Sequence, residues 1–579
     1  MPVIIVNKSK CNPVACGNYL CIRFCPRNRA GDECIIIDED KKVAINEEVC
    51  ISCGICVKKC PFKALTVVNT PKELKQKPVH QFGKNSFRLY GLPIPRANMI
   101  IGLLGANGIG KSTALQILSG ELKPNLGDYE KGASDKEILN HFQGTETHQF
   151  LKEKRTIAYK PQYVEAIPKK FKGKVKELLS KINKDYKQLT KELDIDGILD
   201  TPISKVSGGE LQRIAIAATL LKNANTLFFD EPSSYLDIKQ RLKIAKKLGN
   251  LRNQENRVFI VEHDLIMLDY MTDYVHVFYG HKGAYGITSF PYTTREGINS
   301  YLKGYLQNEN MKFRDKPITY DIKTEEKSIA REVSNEWVEL TKKLGNFKLK
   351  VNPGELYEGE VIGVVGANGT GKTTFARLLA GELEPDNGEI NKKTKISYKP
   401  QYIKPENNMK VKELLNTNPL YNTYKHYFRH LDLEPLMNRG LQELSGGELQ
   451  RVSVANCLTH DADLYLLDEP SAHLDVEQRI HVAKALKEIT RARKKSAIVI
   501  DHDLMFIDYV SERLLVFTGK PAREGLAQGP YEMRKGMNLF LEDLGITFRR
   551  DENTNRPRPN KEDSVKDRSQ KKKGEYYYS

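Results

Sequence analysis

Gly105-Ala106-Asn107-Gly108-Ile109-Gly110-Lys111-Ser112-Thr113 and Gly366-Ala367-Asn368-Gly369-Thr370-Gly371-Lys372-Thr373-Thr374 are two copies of one loop, and their reading decides the fold. An apolar run precedes each, Met99–Leu104 and Val361–Val365, and reads as a strand. Good helix formers follow, Thr113–Leu118 and Thr374–Leu379. A glycine-rich turn between strand and helix lets backbone N–H groups converge on phosphate oxygens. In that arrangement Lys111 and Lys372 neutralise the β- and γ-phosphates, and the hydroxyls of Ser112 and Thr373 ligate Mg²⁺. Asn107, Gly108, Gly110 and Thr113, with Asn368, Gly369, Gly371 and Thr374, complete the two nucleotide cradles.

A single loop of this kind is a weak signal. Here each copy is followed, in the same order, by Lys-Pro-Gln-Tyr, Ser-Gly-Gly-Glu-Leu-Gln-Arg, Asp-Glu-Pro-Ser and His-Asp-Leu. Apolar strands from Leu227 and Leu464 end in paired carboxylates. Asp230 and Asp468 are placed to hold Mg²⁺, and Glu231 and Glu469 to polarise the attacking water. Gln162 and Gln401 reach toward metal and water, and His263 and His502 toward the γ-phosphate. Ser207, Gly208, Gly209 and Glu210, and likewise Ser445, Gly446, Gly447 and Glu448, open helices whose N–H groups bind a second anionic surface of the nucleotide. The series implies ATP hydrolysis by two halves that close on each other.

The copies differ in one place. Lys111 to Gln162 spans 51 positions and Lys372 to Gln401 spans 29, whereas the later intervals agree within one residue. The first copy therefore carries an insertion of about 22 residues, in a region where Ser134 and Thr145 read as N-caps of two short helices joined at Gly144. A surface elaboration is the plain reading, and a docking element is the reading favoured by its presence in one copy only.

Nine of the ten cysteines lie within residues 11–60. Cys50-Ile-Ser-Cys53-Gly-Ile-Cys56-Val-Lys-Lys-Cys60-Pro61 has the spacing of a bacterial ferredoxin, in which the fourth cysteine serves the other cluster. The assignment is one [4Fe-4S] cluster on Cys25, Cys50, Cys53 and Cys56, and another on Cys11, Cys16, Cys21 and Cys60. Two zinc knuckles are the competing reading. Cys34 is left over and reads as a buried strand residue. Strands are expected at Val3–Val6, Ile35–Ile37, Lys42–Ile45 and Leu65–Val68.

The chain's 579 residues are too many for one core. The expected organisation is an iron–sulfur domain 1–72, a first cassette 75–310 with its insertion at about 134–154, a linker 311–335, a second cassette 336–545 and a basic tail 546–579. The fold class is α/β. Ninety-one basic against 74 acidic residues give a net charge of +17, which fits a basic surface or a nucleic-acid partner. No apolar run approaches the ~20 residues of a membrane span, and residues 1–10 do not form a signal peptide, so a cytoplasmic protein is expected.

A two-cluster ferredoxin-like domain before twin cassettes resembles the ABC class E ribosome-recycling ATPases, the RNase L inhibitor family. The resemblance extends to Gly83-Lys-Asn-Ser-Phe87, to the helix–loop–helix insertion and to the tail from Phe548 to Arg568. It implies head-to-tail closure, with ATP on Lys111 meeting Ser445 and ATP on Lys372 meeting Ser207. It implies splitting of ribosomes with a release factor or its stalled-ribosome paralogue, then residence on the small subunit, where initiation factors are met. It implies contacts to rRNA, and a monomer whose cassettes pair within one chain. Phe82 and Phe87 correspond to an aromatic pair on adenine, and Trp337 and Phe347 to its counterpart. Three departures stand out: four residues separate Cys16 from Cys21 where three are expected, His473 replaces a tyrosine, and Val206 replaces a leucine. The residues from Lys571 read either as a disordered tail or as part of a hinge. An ATP-gated electron carrier and the motor of a transporter are the other functions considered; the chain shows no flavin, haem or membrane-spanning motif for either.

Overall fold

Met99–Gly105 is buried along almost its whole length, as expected of a strand covered on both faces. It pairs in parallel with Arg257–Val261 on one side and Tyr274–His281 on the other. The computed structural model describes the chain except residues 1, 2, 7, 9, 39, 47, 48, 69–75, 254, 315, 321–331, 391–393, 402–408, 578 and 579. The expected end of the iron–sulfur domain and the middle of the expected linker lie outside the described residues.

The sheet around that strand runs His80–Gln81, Arg88–Tyr90, Tyr285–Thr293, Tyr274–His281, Met99–Gly105, Arg257–Val261, Thr226–Asp230, Ile157–Lys160. A second eight-stranded sheet repeats it strand for strand: Leu340–Leu344, Phe347–Val351, Glu524–Glu532, Arg513–Lys520, Val361–Gly366, Ser496–Ile500, Leu464–Asp468, Ile396–Lys399. In each, the acidic strand and the phosphate-loop strand flank a common neighbour and point the same way. Their carboxyl ends therefore lie on one edge, where open parallel sheets bind ligands.

The first core stacks Phe228 on Phe259, with ring centroids 5.0 Å apart. The insertion forms helices Asp135–His141 and Glu146–Lys152, capped by Ser134 and Thr145 as expected. It is more than a surface appendage, because Ile138, Phe142 and Phe150 are buried in that core. The guanidinium of Arg155 lies 3.6 Å from the centre of the Phe150 ring.

Residues 3–68 pair Val3–Val6 with Leu65–Val68 and Ile35–Ile37 with Val43–Ile45. Short helices run Leu20–Arg23, Pro26–Arg29 and Ile55–Lys59. Five thiols, those of Cys11, Cys21, Cys25, Cys34 and Cys56, are buried among seven aliphatic residues in the core here.

The chain divides into two compact units. One comprises residues 1–232, 249–262 and 272–316; the other comprises 233–248, 263–271 and 317–579. In the second, the described residues from Lys571 are folded, with helix Val565–Lys573 and a bridge at Tyr577, which corrects the disordered-tail reading for them. Phe548–Arg550 pairs with Pro557–Pro559, and helix Val565–Lys573 runs from a Ser564 cap to a left-handed Gly574. Long-range partners supply the order. The Tyr577 hydroxyl donates to Asp508, as does the Arg550 guanidinium, and Arg556 and Arg558 donate to Asp269.

Arg556 is fully buried, 2.9 Å from Asp269, whose side chain is 5% exposed. Burial pushes the Asp269 carboxyl up, but Arg556 and Arg558 outweigh it and hold it below the usual carboxylate range. Removing one partner strands the other charge, at a cost of about 3–5 kcal/mol. Asp269→Ala should therefore release the carboxy-terminal segment, read as faster proteolysis after residue 546 and an earlier denaturant transition. The pair's contribution should be intact above the ordinary carboxylate range and disappear as pH falls through the lowered Asp269 value.

Candidate functional site

Lys111 begins helix Lys111–Leu118 and is 6% exposed. Its ammonium donates to the carbonyls of Gly105 and Ala106, each at 2.8 Å. Lys372 repeats the geometry on Gly366 and Ala367 at 2.9 and 2.8 Å. Burial pushes Lys372 down to about 8, against the pull of Asp237, Glu469 and Asp468. Gly110 and Gly371 take φ of 98°, and a Cβ on Gly110 would lie 2.7 Å from the Phe87 ring.

Behind each loop stands a glycine that motif reading missed. A Cβ on Gly286 would meet the Ile109 carbonyl oxygen at 1.9 Å, and one on Gly525 that of Thr370 at 2.0 Å. The two glycines recur in register between the copies once the insertion is discounted, which was the available signal.

Asp230 and Asp468 end their strands almost fully buried. Burial pushes both carboxyls up, opposed by Ser112 at Asp230 and by Thr373 at Asp468. The Thr373 hydroxyl donates to Asp468 Oδ2 at 2.8 Å, and the Tyr159 hydroxyl to Asp230 Oδ2 at 3.3 Å. Asp230 Oδ1 has no hydrogen-bond partner. A buried carboxylate oxygen without a partner, beside a hydroxyl, fits a hard oxygen-seeking cation such as Mg²⁺.

Glu231 and Glu469 follow with φ of 48°, a left-handed backbone that only strong external bonds sustain. Those bonds are present twice over. The Glu231 N–H donates to Val261 and the Glu469 N–H to Ile500. Gln212 and Gln450, from the Leu-Gln-Arg runs, donate to the Glu231 and Glu469 carbonyls at 2.7 and 2.6 Å. Lys160 and Lys399 donate to the carbonyls of Asp230 and Asp468, both at 2.7 Å. Gln162 and Gln401 donate to the Oε1 atoms of Glu231 and Glu469 at 2.7 Å each. The lysines and Leu-Gln glutamines lie inside motifs already repeated in the sequence, but their role appears only with the carbonyls in place.

His502 Nε2 lies 3.5 Å from Glu469 Oε1. Burial, then the Lys372 and Arg241 cations, hold His502 well below the usual histidine range, so the ring is neutral near pH 7. Burial, then Asp468, push Glu469 up, while Gln401 opposes them. His263 is likewise buried. Ser207 and Ser445 cap helices Gly208–Leu220 and Gly446–Thr459 in reciprocal boxes with Glu210 and Glu448. The backbone N–H of Asn368 donates to Asp237 at 2.9 Å, a contact unforeseen from the sequence. His473 keeps an aromatic role, its ring edge-on to Tyr235 at 6.3 Å.

The adenine pairing needs one correction. Phe82 is exposed and faces Phe87, with ring centroids 6.4 Å apart. Trp337 is only 4% exposed, donates to the Asn352 carbonyl and packs on Phe375 in the second core. The residue opposite Phe347 across the strand pair is Leu344, which is 40% exposed. Trp337 follows from chain order; Leu344 follows from register.

Between Phe82 and Phe87, Asn85 is buried and accepts the Ile45 N–H at 2.7 Å through its side chain. The loop beside the first site is thereby tied to the cysteine-rich domain.

The thiols lie about two cavities. Cys25, Cys50, Cys53 and Cys56 line one cavity, with Cys34 among them. Cys11, Cys16, Cys21 and Cys60 line another. The thiols surround volumes, as ligands of a cube do, and no three His, Cys, Asp or Glu among the described residues converge on a single metal ion. The longer gap after Cys16 is absorbed by Gly17, Asn18 and Tyr19, all left-handed at φ 79°, 60° and 59°.

Comparison with known proteins agrees with this geometry. Residues 95–234 and 349–472 match the family described as ABC transporter, 43–66 a 4Fe-4S binding domain, and 1–33 a possible Fer4-like domain in RNase L inhibitor. The whole chain is 47% identical to 98% of an uncharacterized ABC transporter ATP-binding protein of Methanocaldococcus jannaschii. It is 42% identical to 98% of ABC transporter E family member 1 of Arabidopsis thaliana, again over its full length. Among solved structures it superposes with TM-score 0.94 and 48% identity on a chain of ribosome-bound archaeal Pelota and ABCE1, covering 100% of this chain and 99% of that one. With TM-score 0.82 and 49% identity it matches an archaeal ribosome recycling factor complexed with a ribosomal stalk protein, over 87% of this chain and 99% of that one. No helix among the described residues is long and apolar enough to cross a membrane.

Gly286→Ala and Gly525→Ala test the backing of the phosphate loops without touching nucleotide. Each should weaken ATP binding at its own cassette about tenfold or more, ~1.4 kcal/mol, in calorimetric titration, and leave the other cassette unchanged.

Proposed function

The chain belongs to the ABC class E, or RNase L inhibitor, family, and we infer from that membership that it is an ATPase that splits ribosomes into subunits after termination or rescue. The observation that carries the reading is the full-length match to ABCE1 bound with Pelota on a ribosome. The partners are the ribosome, chiefly its small subunit and rRNA, a release factor or its stalled-ribosome paralogue, and then initiation factors, in the cytoplasm. The domain limits given from the sequence are kept, supported by one complete set of strands in each eight-stranded sheet.

The chemistry follows from the two sites. Phosphoryl transfer to water needs in-line positioning and charge stabilisation more than covalent help. Backbone N–H groups of each glycine loop and the ammonium of Lys111 or Lys372 draw the β- and γ-phosphates to the helix N-terminus. Asp230 with Ser112, and Asp468 with Thr373, hold Mg²⁺, which when bound neutralises phosphate charge. Glu469 accepts a hydrogen bond from the attacking water, oriented by the Gln401 amide at 2.7 Å. Neutral His502 donates toward the γ-phosphate. Glu231, Gln162 and His263 act in the same roles at the first cassette. Phe82 and Phe87 receive adenine at the first cassette, and Phe347 with Leu344 at the second.

Closure of the cassettes brings each Ser-Gly-Gly-Glu helix end onto the other cassette's nucleotide. The Asp237–Asn368 bond supports coupling between the two sites, and the Asn85–Ile45 bond supports transmission to the iron–sulfur domain. Two [4Fe-4S] clusters, on the cysteine sets that line the two cavities, make that domain rigid enough to transmit force.

Sucrose-gradient sedimentation of whole ribosomes with the anaerobically purified protein, a release factor and ATP tests the proposal. Free subunits should appear with the unaltered chain. Glu231→Gln and Glu469→Gln should slow hydrolysis by two orders of magnitude or more, and the variant that also blocks repeated splitting identifies the controlling site. Intact ribosomes alongside active ATPase and full cluster content would overturn the reading.

A further inference from the structure

Cys34 is the one cysteine of the amino-terminal block that the two four-cysteine sets leave over, yet it lies at a cluster cavity. It is 2% exposed and lines the same cavity as Cys25, Cys50, Cys53 and Cys56. The other cavity has only its four thiols, Cys11, Cys16, Cys21 and Cys60. Burial, then the neighbouring thiols of Cys50 and Cys25, push the Cys34 thiol up, so its proton is held beside those two sulfurs.

Five thiols meet a cube that takes four. The two cavities decide which is extra, because each combines three closely spaced cysteines with the cysteine of a Cys-Pro pair from the other run. Cys25-Pro26 completes the first cavity and Cys60-Pro61 the second. Cys34 has no counterpart in that exchange. Its backbone is also held differently, at the start of a strand and not in a ligand turn. Its N–H donates to the Asp32 carbonyl at 2.9 Å, and its carbonyl accepts the Asn46 N–H at 2.8 Å. The next residue, Ile35, is clamped through both backbone groups by the Asn28 amide at 2.8 Å. So anchored, the side chain borders the cavity without entering a ligand loop.

We propose that Cys34 is a hydrogen-bond donor to the cluster held by Cys25, Cys50, Cys53 and Cys56, its S–H directed at the ligand sulfurs of Cys25 and Cys50. Hydrogen bonds to cluster sulfurs stabilise the reduced, more negative state and raise the reduction potential. Backbone donors serve the ligand sulfurs of both cavities: Ser52 to Cys50 at 3.4 Å and Val57 to Cys56 in one, and Ala64 to Cys60 at 3.4 Å, Val43 to Cys11 and Ile22 to Cys21 in the other. Cys34 adds a thiol donor on one side only. That donor raises the potential of the cluster on Cys50 above the value the same cluster has without it. The inference rests on the two-cluster reading, which the iron and sulfide content of the unaltered protein tests separately.

The experiment compares full-length, anaerobically purified protein with Cys34→Ala and Cys34→Ser. Iron and sulfide content, the two midpoint potentials, and deuteron couplings of the reduced clusters after exchange into D₂O are measured. Cys34→Ala should keep full iron content, shift one midpoint to more negative potential, leave the other in place, and lose an exchangeable deuteron coupling. Cys34→Ser, which restores an O–H donor, should return part of that shift. Unchanged midpoints and deuteron couplings would remove the donor role. Loss of one cluster's iron in both variants would make Cys34 a ligand and overturn the proposal. Should Cys34→Ala fail to fold, Cys34→Ser decides by whether its one shifted midpoint lies below that of the unaltered protein.

Discussion

In each cassette a lysine ammonium is taken out of water and set against main-chain carbonyls at the end of the acidic strand. Lys160 is fully buried and Lys399 nearly so, and burial pushes both down to about 8. Desolvating an ammonium costs several kcal/mol unless its donors are answered. Here they are answered by the carbonyls of Asp230 and Asp468, with the Glu231 and Glu469 carbonyls a little farther off. That bond lets the chain turn left-handed at Glu231 and Glu469, which presents their carboxylates to the glutamine amides. The Lys-Pro-Gln-Tyr stretch and the helix opened by Ser-Gly-Gly-Glu both meet the acidic strand there. Replacing the lysine by an apolar residue would leave buried carbonyls unanswered and the turn unsupported.

The cysteine-rich domain solves the opposite problem. It is too small to bury much apolar surface, and a large share of what it does bury is sulfur. The thiols around each cavity are drawn from two runs of sequence, so as cluster ligands they would tie the ends of the domain together, as disulfides do in secreted modules. Its attachment to the first cassette through Asn85 uses a side chain with left-handed backbone in a loop flanked by Phe82 and Phe87. The same loop thus carries the exposed Phe82 ring and the bond to the iron–sulfur domain.

Much of this was legible in order along the chain. The repeated loops, the acidic strand ends, the partition of eight cysteines into two interleaved sets and the caps at Ser134 and Thr145 each depend on residues close in sequence. Trp337 was misplaced because an aromatic near the start of the second cassette satisfies chain order, whereas pairing of Leu340–Leu344 with Phe347–Val351 sets Leu344 opposite Phe347. The residues from Lys571 read as a disordered tail or as part of a hinge because their composition is polar; Tyr577 is held by Asp508, tens of residues away. Cys34 read as an ordinary strand residue because nothing local shows that its strand borders a cluster cavity.

The sequence by itself determined the chemistry: phosphate loops, carboxylates and thiolate sets whose spacing is fixed by single turns and strand ends, where backbone geometry leaves little choice. Only the tertiary structure decided what supports that chemistry. Gly286 and Gly525 matter because a distant strand presses on the phosphate loop, and Lys160, Gln212 and their partners matter because three segments converge on one carbonyl pair. Such contacts depend on sheet order and register, which no local pattern encodes, since the same residues would be unremarkable in any other packing.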